Sequence, residues 1–384
     1  MQTKPAPRSV RSAPAEAGRR VWLEIRLSSI RENFLRIQKT VKPAQVMAVL
    51  KADAYGLGLL PIAKTLAEAG VSRFGVAGLR EAALLRKHVS QPVHILSALL
   101  EGEVAEAVRL GIRCPVPDLQ TARWLSAEAV RQKENVTVHI KVDTGMGRLG
   151  IPHFEAAKTV ARIVKLPGLK VEGIFSHLAD ANHPQHAKTR QQISFFRRVL
   201  DELKSRGMEF PMAHLANSDG INNFPDAYFD LVRTGINLYG VFDLLGFRAY
   251  KLSPSLALKS RLLARRKLPA GYTVGYGGTH TLFRDAWIGT IPAGYADGVP
   301  LAASNSGFVL IRGKACPIVG RVSMDYLTVD LTACPQARVG DEVVLVGRSG
   351  NQEQTIEDWA RIKQTHPYDI ICSLGPRVER VYIR

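Results

Sequence analysis

Between about Val21 and Tyr239, short unbroken apolar runs alternate with stretches whose apolar residues recur at helical spacing. The runs are VMAVL, FGVAG, VHILS, IRCPV, VTVHIKV, VEGIFS, MAHLA and FDLVRTGI, eight in all. Between them lie amphipathic segments such as LLPIAKTLAEAG, EGEVAEAVRLG, HFEAAKTVARIVKL and QQISFFRRVLDELKSRG. A strand that lacks polar alternation is buried on both faces, and repeated strand and helix units make successive strands parallel. Eight such units predict a closed (β/α)8 TIM-like barrel. After about Ser253 the pattern changes to strand runs separated by turns: AWIGTIPAG, FVLIRGKACPIVGRV, YLTVDL and DEVVLVGRSG, with one helical piece around IEDWARI. The expected division is a disordered basic arm over 1–20, the barrel over 21–250 and a mostly-β C-terminal domain over 251–384, with the junction in FDLLGFRAYKLSPS.

Composition narrows the class. A chain of 384 residues with 46% apolar content suits two globular domains. No run approaches the roughly eighteen apolar residues of a membrane span. The first twenty residues, rich in Pro, Ala, Ser and Arg, lack the apolar core of a secretory signal. The four cysteines, Cys114, Cys316, Cys334 and Cys372, form no C-x-x-C pair, so the expected compartment is a reducing cytoplasm. A net charge of +18 raises nucleic acid as a partner. The basic residues are scattered, however, apart from short groups such as SRLLARRK, and no recognition motif accompanies them. The charge reads as a solvated surface that attracts small anions, with neither nucleic acid nor membrane as partner.

The barrel assignment places chemistry at the carboxyl ends of the strands. Lys51 ends the first run, Arg148 follows the fifth in KVDTGMGRLG, and His177 ends the sixth. Asn217 and Ser218 end the seventh, and Arg233 with Gly235 ends the eighth. A lysine there either snorkels or serves as an amine nucleophile. Ser218 and the Thr234–Ile236 turn stand where barrels commonly hold phosphate. A phosphate site and an amine facing one cavity suggest pyridoxal 5′-phosphate. Taken singly, the same serine also reads as a helix cap and Gly235 as an ordinary turn.

Over nearly its whole length, from VWLEIRLSSIRENF to ICSLGPRVERVYI, the chain resembles the bacterial alanine racemases, barrel-type pyridoxal phosphate enzymes. The motifs that carry the resemblance, in order, are AVLKADAYGLG, KVDTGMGRLG, HLANS, VRTGINLYG, VGYGGTH, IPAGYADG and GRVSMDYLTVDL. It implies interconversion of L- and D-alanine, supplying D-alanine for peptidoglycan, with Lys51 as the Schiff-base lysine and one of two catalytic bases. Tyr276 is implied as the other base, Arg148 and the Met324 backbone as carboxylate ligands, and Lys141 as a carbamylated lysine that positions the arginine. His177, Asp325 and Tyr295 are implied as supports. Tyr55, His214, Asn217, Ser218, Arg233, Gly235, Ile236 and Tyr239 are implied around the cofactor, with Arg233 facing its ring nitrogen. The family also implies a homodimer in which Tyr276, Tyr295, Met324 and Asp325 complete the neighbour's site. Two departures stand out: YGLG, with Leu57, where YGHG is usual, and LGPRV where some members carry a phosphate-touching tyrosine. No cofactor contact is therefore assigned to Gly375 or Pro376.

Other readings remain. A racemase of the same fold acting on serine, lysine or a broader set of amino acids shares every motif. A barrel decarboxylase would have an acidic group where this chain has Arg233, and a non-catalytic cofactor carrier would not need VGYGGTH. HLADANHPQH brings His177, His183 and His186 close in sequence, but Pro184 intervenes and no further ligand is committed, so the segment reads as an exposed loop and no metal is assigned.

Overall fold

The computed structural model describes residues 18–243 and 248–384. Residues 1–17, most of the expected arm, and 244–247 of the expected junction lie outside the described residues. The chain forms two compact units: Glu24–Leu256 with Thr355–Leu374 and Tyr382–Arg384 in one, and the residues to Leu23 with Ala257–Gln354 and Gly375–Val381 in the other.

The first unit carries eight parallel strands at the eight apolar runs: β1 Gln45–Val49, β2 Arg73–Val76, β3 Val93–Ile95, β4 Cys114–Val116, β5 Val136–Asp143, β6 Leu169–Phe175, β7 Met212–His214 and β8 Leu231–Thr234. They order as β8-β1-β2-β3 and β4-β5-β6-β7. A parallel bridge between His94 and Arg113 joins β3 to β4. Asp230 N–H to Ala213 O at 3.0 Å and Arg233 N–H to Ala216 O at 3.0 Å tie β8 to the end of β7, which closes the ring. The intervening helices bury one stripe each. In Leu59–Glu68 the buried positions Leu59, Ile62, Ala63 and Leu66 follow the three- and four-residue rule. Asp118 caps Leu119–Gln132 by accepting from Thr121 N–H at 2.7 Å.

In the second unit the strands between Leu256 and Gln354 pair antiparallel. Its larger sheet runs Lys314–Pro317, Phe308–Ile311, Glu342–Ser349, Leu256–Arg261, Val21–Arg26, Glu379–Ile383, with Gln352–Gln354 beside Glu342–Ser349. A three-stranded sheet joins Ala264–Leu268, Ala286–Ile291 and Leu327–Asp330. Two details depart from a contiguous split at residue 250. Val21–Arg26, expected at the start of the barrel, pairs in this sheet, because an apolar strand joins whichever edge offers it a ladder. Thr355–Leu374 belongs to the barrel unit instead. Its helix Ile356–Lys363 opens with a capping box in which Thr355 and Asp358 each accept the other's N–H.

Immediately after β1 the chain does something that the sequence gives no sign of. Ala52, Asp53, Ala54 and Tyr55 all have φ between +53° and +64°, a full left-handed turn made without glycine. Each such residue costs about 1–2 kcal/mol against right-handed backbone. The turn is pinned from several sides. Asp53 N–H donates to Glu81 Oε1 at 3.1 Å, Leu59 N–H to Asp53 Oδ1 at 2.7 Å, and Tyr382 Oη to Leu57 O at 2.9 Å. Ala52 is exposed, so its methyl group contributes little packing. Ala52→Gly is expected to raise the thermal midpoint by roughly 1–3 °C, since relief of the left-handed strain exceeds glycine's extra unfolded freedom of about 0.5–1 kcal/mol. Differential scanning calorimetry checks this; an unchanged or lower midpoint contradicts it.

Candidate active site

The strand ends of the barrel surround a cavity of about 770 Å³. Lys51 stands at its edge, directly after the ladder bond from Leu50 N–H to Gly75 O at 2.8 Å. Partial burial, and secondarily the charge of Arg148, push its pKa below that of an ordinary lysine. Lys51 and Tyr55, at the two ends of the left-handed turn, both line the cavity, and Tyr55 packs edge-on against Tyr239, with ring centroids 5.5 Å apart.

Arg148 reaches the same cavity from the loop after β5. That loop is shaped by Asp143, whose carboxylate accepts from the backbone N–H groups of Gly145, Met146 and Gly147, each at 2.8 Å. At Gly150, with φ of +124°, a Cβ would come within 2.9 Å of Asp143 N, so glycine is required there. Lys141 is buried; its Nζ donates to Leu96 O at 3.2 Å and lies 4.9 Å from the Phe175 ring centroid. Burial, followed by the charges of Arg233 and Arg148, lowers its pKa to about 8.

Arg233 lies below these groups with only 4% exposure, and its hydrogen-bond partners among the described residues include no carboxylate. Its guanidinium donates to Ser176 O at 2.8 Å, Leu215 O at 2.9 Å, His214 Nδ1 at 2.9 Å and His177 Nδ1 at 3.1 Å. Burial lowers its pKa to about 9, which still leaves it cationic at neutral pH. Burial and then Arg233 push the His177 pKa well below the usual imidazole value, so its ring is neutral. His177 does not converge with the other histidines of its loop. His183 and His186 pair with Asp180 at 2.7 and 3.3 Å instead.

On the far side of the cavity Gly235 N–H donates to Ser218 Oγ at 2.9 Å. A Cβ on Gly235 would fall 2.1 Å from Tyr55 Oη, so the backbone there is bare toward the tyrosine. Thr234 Oγ1 and Tyr239 Oη are buried without a hydrogen-bond partner among the described residues. Ile236 is fully buried. Asn217 lines the cavity, but its Oδ1 accepts from Gly220 N–H at 2.8 Å and so caps the short helix Ser218–Asn223. His214, expected at the cofactor ring, does not line the cavity. Its ring stacks on Phe175 at 4.8 Å and is held between Arg233 and His139.

The remaining expected residues lie in the β-rich unit. Tyr276 is 72% exposed and shares a groove with Arg321, Ser323 and Tyr326. Tyr295 and Met324 are also exposed. Their two turns are knitted together: Tyr295 N–H donates to Ser323 O at 3.0 Å and Ala296 N–H to Met324 O at 3.2 Å. Arg377 clamps both, bonding Asp297 at 2.7 and 3.0 Å, Asp325 at 2.7 Å and Met324 O at 3.2 Å.

The family model described as "Alanine racemase, N-terminal domain" matches residues 25–243, and "Alanine racemase, C-terminal domain" matches 255–382. The chain belongs to the alanine racemase family. It is 38% identical over 366 residues to the alanine racemase of Symbiobacterium thermophilum, covering 95% of this chain and 97% of that one. It is 40% identical over 359 residues to that of Syntrophobacter fumaroxidans, covering 92% and 95%. Among solved structures, the alanine racemase of Streptomyces lavendulae superposes with a TM-score of 0.90 at 34% identity, covering 95% of this chain and 97% of that one. The alanine racemase of Bartonella henselae, solved with covalently bound pyridoxal phosphate, gives 0.86 at 32% identity and 94% and 99% coverage. The chain is thus an isomerase that interconverts L- and D-alanine.

Beside the motifs of the alanine racemase family, the cavity contains a residue that sequence reading passed over. Tyr368 lines it beside Ser218, with its ring 5.9 Å from that of Tyr55. Tyr368 stands eight residues before Pro376, upstream of the LGPRV segment where a tyrosine was expected. Asp143 and Arg377 were also missed. The position of Asp143 directly before TGMG is the signature of a side chain that caps its own loop and could have been read; Arg377 leaves no local signal.

Proposed function

We propose that the barrel cavity holds pyridoxal 5′-phosphate and that alanine racemisation proceeds by two-base proton transfer, with Lys51 on one face and Tyr276 of the partner subunit on the other. The donor set suits this cofactor. Tyr239 Oη is an orphaned buried hydroxyl, Gly235 is bare where a Cβ would close the space, and Ser218, Tyr368 and Tyr55 surround the same corner. Tyr55, Tyr239, Ser218 and the backbone of Gly235 and Ile236 would hold the phosphate. Asn217 would border the ring, and Arg233 would face its nitrogen. When bound, the cofactor supplies an aldehyde that condenses with amines and a ring that withdraws electrons from the substrate Cα.

The chain's own residues do the rest. Lys51 Nζ, with its depressed pKa, takes and returns a proton on its face of Cα. The Tyr276 phenol does so on the other, oriented by His177 and with the Arg148 guanidinium beside it to offset a phenolate's charge. Arg148 and the Met324 N–H hold the substrate carboxylate. Lys141, partly neutral near pH 8, is able to add carbon dioxide; the resulting anion orients Arg148 where a cation would repel it. Arg233, cationic at neutral pH, disfavours a proton on the ring nitrogen, which limits charge delocalisation and favours prompt return of the proton to Cα.

The observation that carries this reading is the single cavity shared by a depressed-pKa lysine and the Ser218–Gly235–Tyr55 corner. Borohydride treatment of the purified protein is expected to fix a cofactor label on the peptide containing Lys51, and untreated protein is expected to convert L-alanine to D-alanine. A protein with no reducible adduct, or a label elsewhere, overturns the reading.

A further inference from the structure

Under Arg233 the barrel interior contains a line of polar side chains that nothing above uses. Arg233 Nη1 donates to His214 Nδ1 at 2.9 Å, His214 Nε2 meets His139 Nδ1 at 2.9 Å, and His139 Nε2 meets Glu172 Oε2 at 2.9 Å. His139 and His214 are 2% and 0% exposed. The line crosses strands β8, β7, β5 and β6, far apart in sequence. Chemistry fixes its direction at both ends. A guanidinium only donates, so His214 Nδ1 accepts and the His214 proton is on Nε2. That proton goes to His139 Nδ1, which leaves the His139 proton on Nε2, facing a carboxylate that only accepts.

The surrounding groups agree with this arrangement. Burial lowers the pKa of both histidines, which keeps them neutral. The bond from His139 and the neighbouring Arg73 hold the Glu172 carboxyl well below the usual carboxylate range. Glu172 Oε2 also bonds Arg73 Nη1 at 2.9 Å and lies 3.9 Å from Arg113 Nε, while Arg73 Nη1 meets His94 Nε2 at 3.3 Å. His94, His139 and Glu172 cluster tightly enough to suggest a metal site. With one guanidinium bonded to the shared oxygen and a second beside it, the cationic position is already filled.

We propose that Glu172 and His139 are positioning residues for Arg233: they fix the proton arrangement of His214 so that its Nδ1 always presents a lone pair to the guanidinium. With the opposite tautomer, His214 Nδ1–H would face Arg233 Nη1–H, and two donors at 2.9 Å would drive the guanidinium off its bonds to Ser176 O, Leu215 O and His177. The consequence for turnover rests on the proposed role of Arg233; the tautomer assignment does not.

The test uses protein labelled with 15N-histidine and read by NMR without cofactor, alongside steady-state kinetics of the loaded enzyme. Wild-type His214 and His139 are expected as neutral Nε2–H tautomers, with the His214 signals assigned by their loss in His214→Asn. Glu172→Gln, whose amide donates as well as accepts, is expected to add a second His214 tautomer and to lower kcat about tenfold with KM within about twofold, as for loss of one charge-assisted bond. His139→Leu, which cuts the line above Glu172, is expected to release the His214 tautomer in the same way and serves if Glu172→Gln does not fold. A wild-type His214 that is Nδ1-protonated or an imidazolium overturns the proposal, as does a His214 signal unmoved in the variants. Absence of a reducible adduct in the wild type would instead remove the role of Arg233 and leave the tautomer result standing.

Discussion

Lys51→Ala is expected to lower alanine turnover by at least about 10³-fold, the combined loss of a covalent anchor and of one acid–base group. The size follows from what replaces the lysine. Among the described residues that line the cavity, the other amine is Lys141, which is bonded to Leu96 O and stacked over Phe175. It is not free to take over. The variant should stay folded, with a thermal midpoint within a degree or two of wild type, because Lys51 is exposed and is not part of the bonds that pin the left-handed turn. Lys51→Arg, which keeps the charge but has no amine to condense or deprotonate, should be as inactive as the alanine variant. The decisive measurement is L-alanine to D-alanine conversion together with the borohydride-fixed label. Residual turnover within tenfold of wild type in either variant would show that Lys51 merely snorkels at a strand end.

How much of this could be read in advance differs from element to element, and for physical reasons. All eight barrel strands were legible, because a parallel strand buried on both faces leaves an unbroken apolar run. Their carboxyl ends then brought Lys51, Arg148, His177, Ser218 and Arg233 to one cavity. Sheet membership was not legible. VWLEIR has the same pattern whether it starts a barrel or lies beside Leu256–Arg261, and only the ladder decides. Nor was the left-handed turn, since Ala52, Asp53, Ala54 and Tyr55 carry no local signal for positive φ and are held there by Glu81 and Tyr382 from distant segments. His139 and Glu172 were hidden for a different reason: each sits within an apolar run and was counted as part of a strand, whereas its meaning depends on Arg233 two or more strands away.

The second large effect concerns a residue that the barrel does not contain. Tyr276→Phe is expected to lower turnover about 10²–10⁴-fold while leaving the reducible adduct intact, because a positioned proton donor and acceptor is lost without touching the cofactor's anchor. Tyr276 is 72% exposed in its own unit, in a groove of about 390 Å³ shared with Tyr326 and Arg321, an arrangement suited to being covered by a second chain. If each site combines the barrel of one chain with Tyr276 of the partner subunit, two inactive variants should rescue each other. In a mixed dimer of Lys51→Ala and Tyr276→Phe, one site collects both lesions and the other neither. Random exchange makes half of the dimers mixed, so activity should return to about a quarter of wild type. Were each site built within one chain, every site in the mixture would keep one lesion and the tube would stay inactive. Mixing after mild dissociation, with size-exclusion chromatography to verify dimers, separates the two outcomes, and a fully active monomer would exclude the shared site altogether.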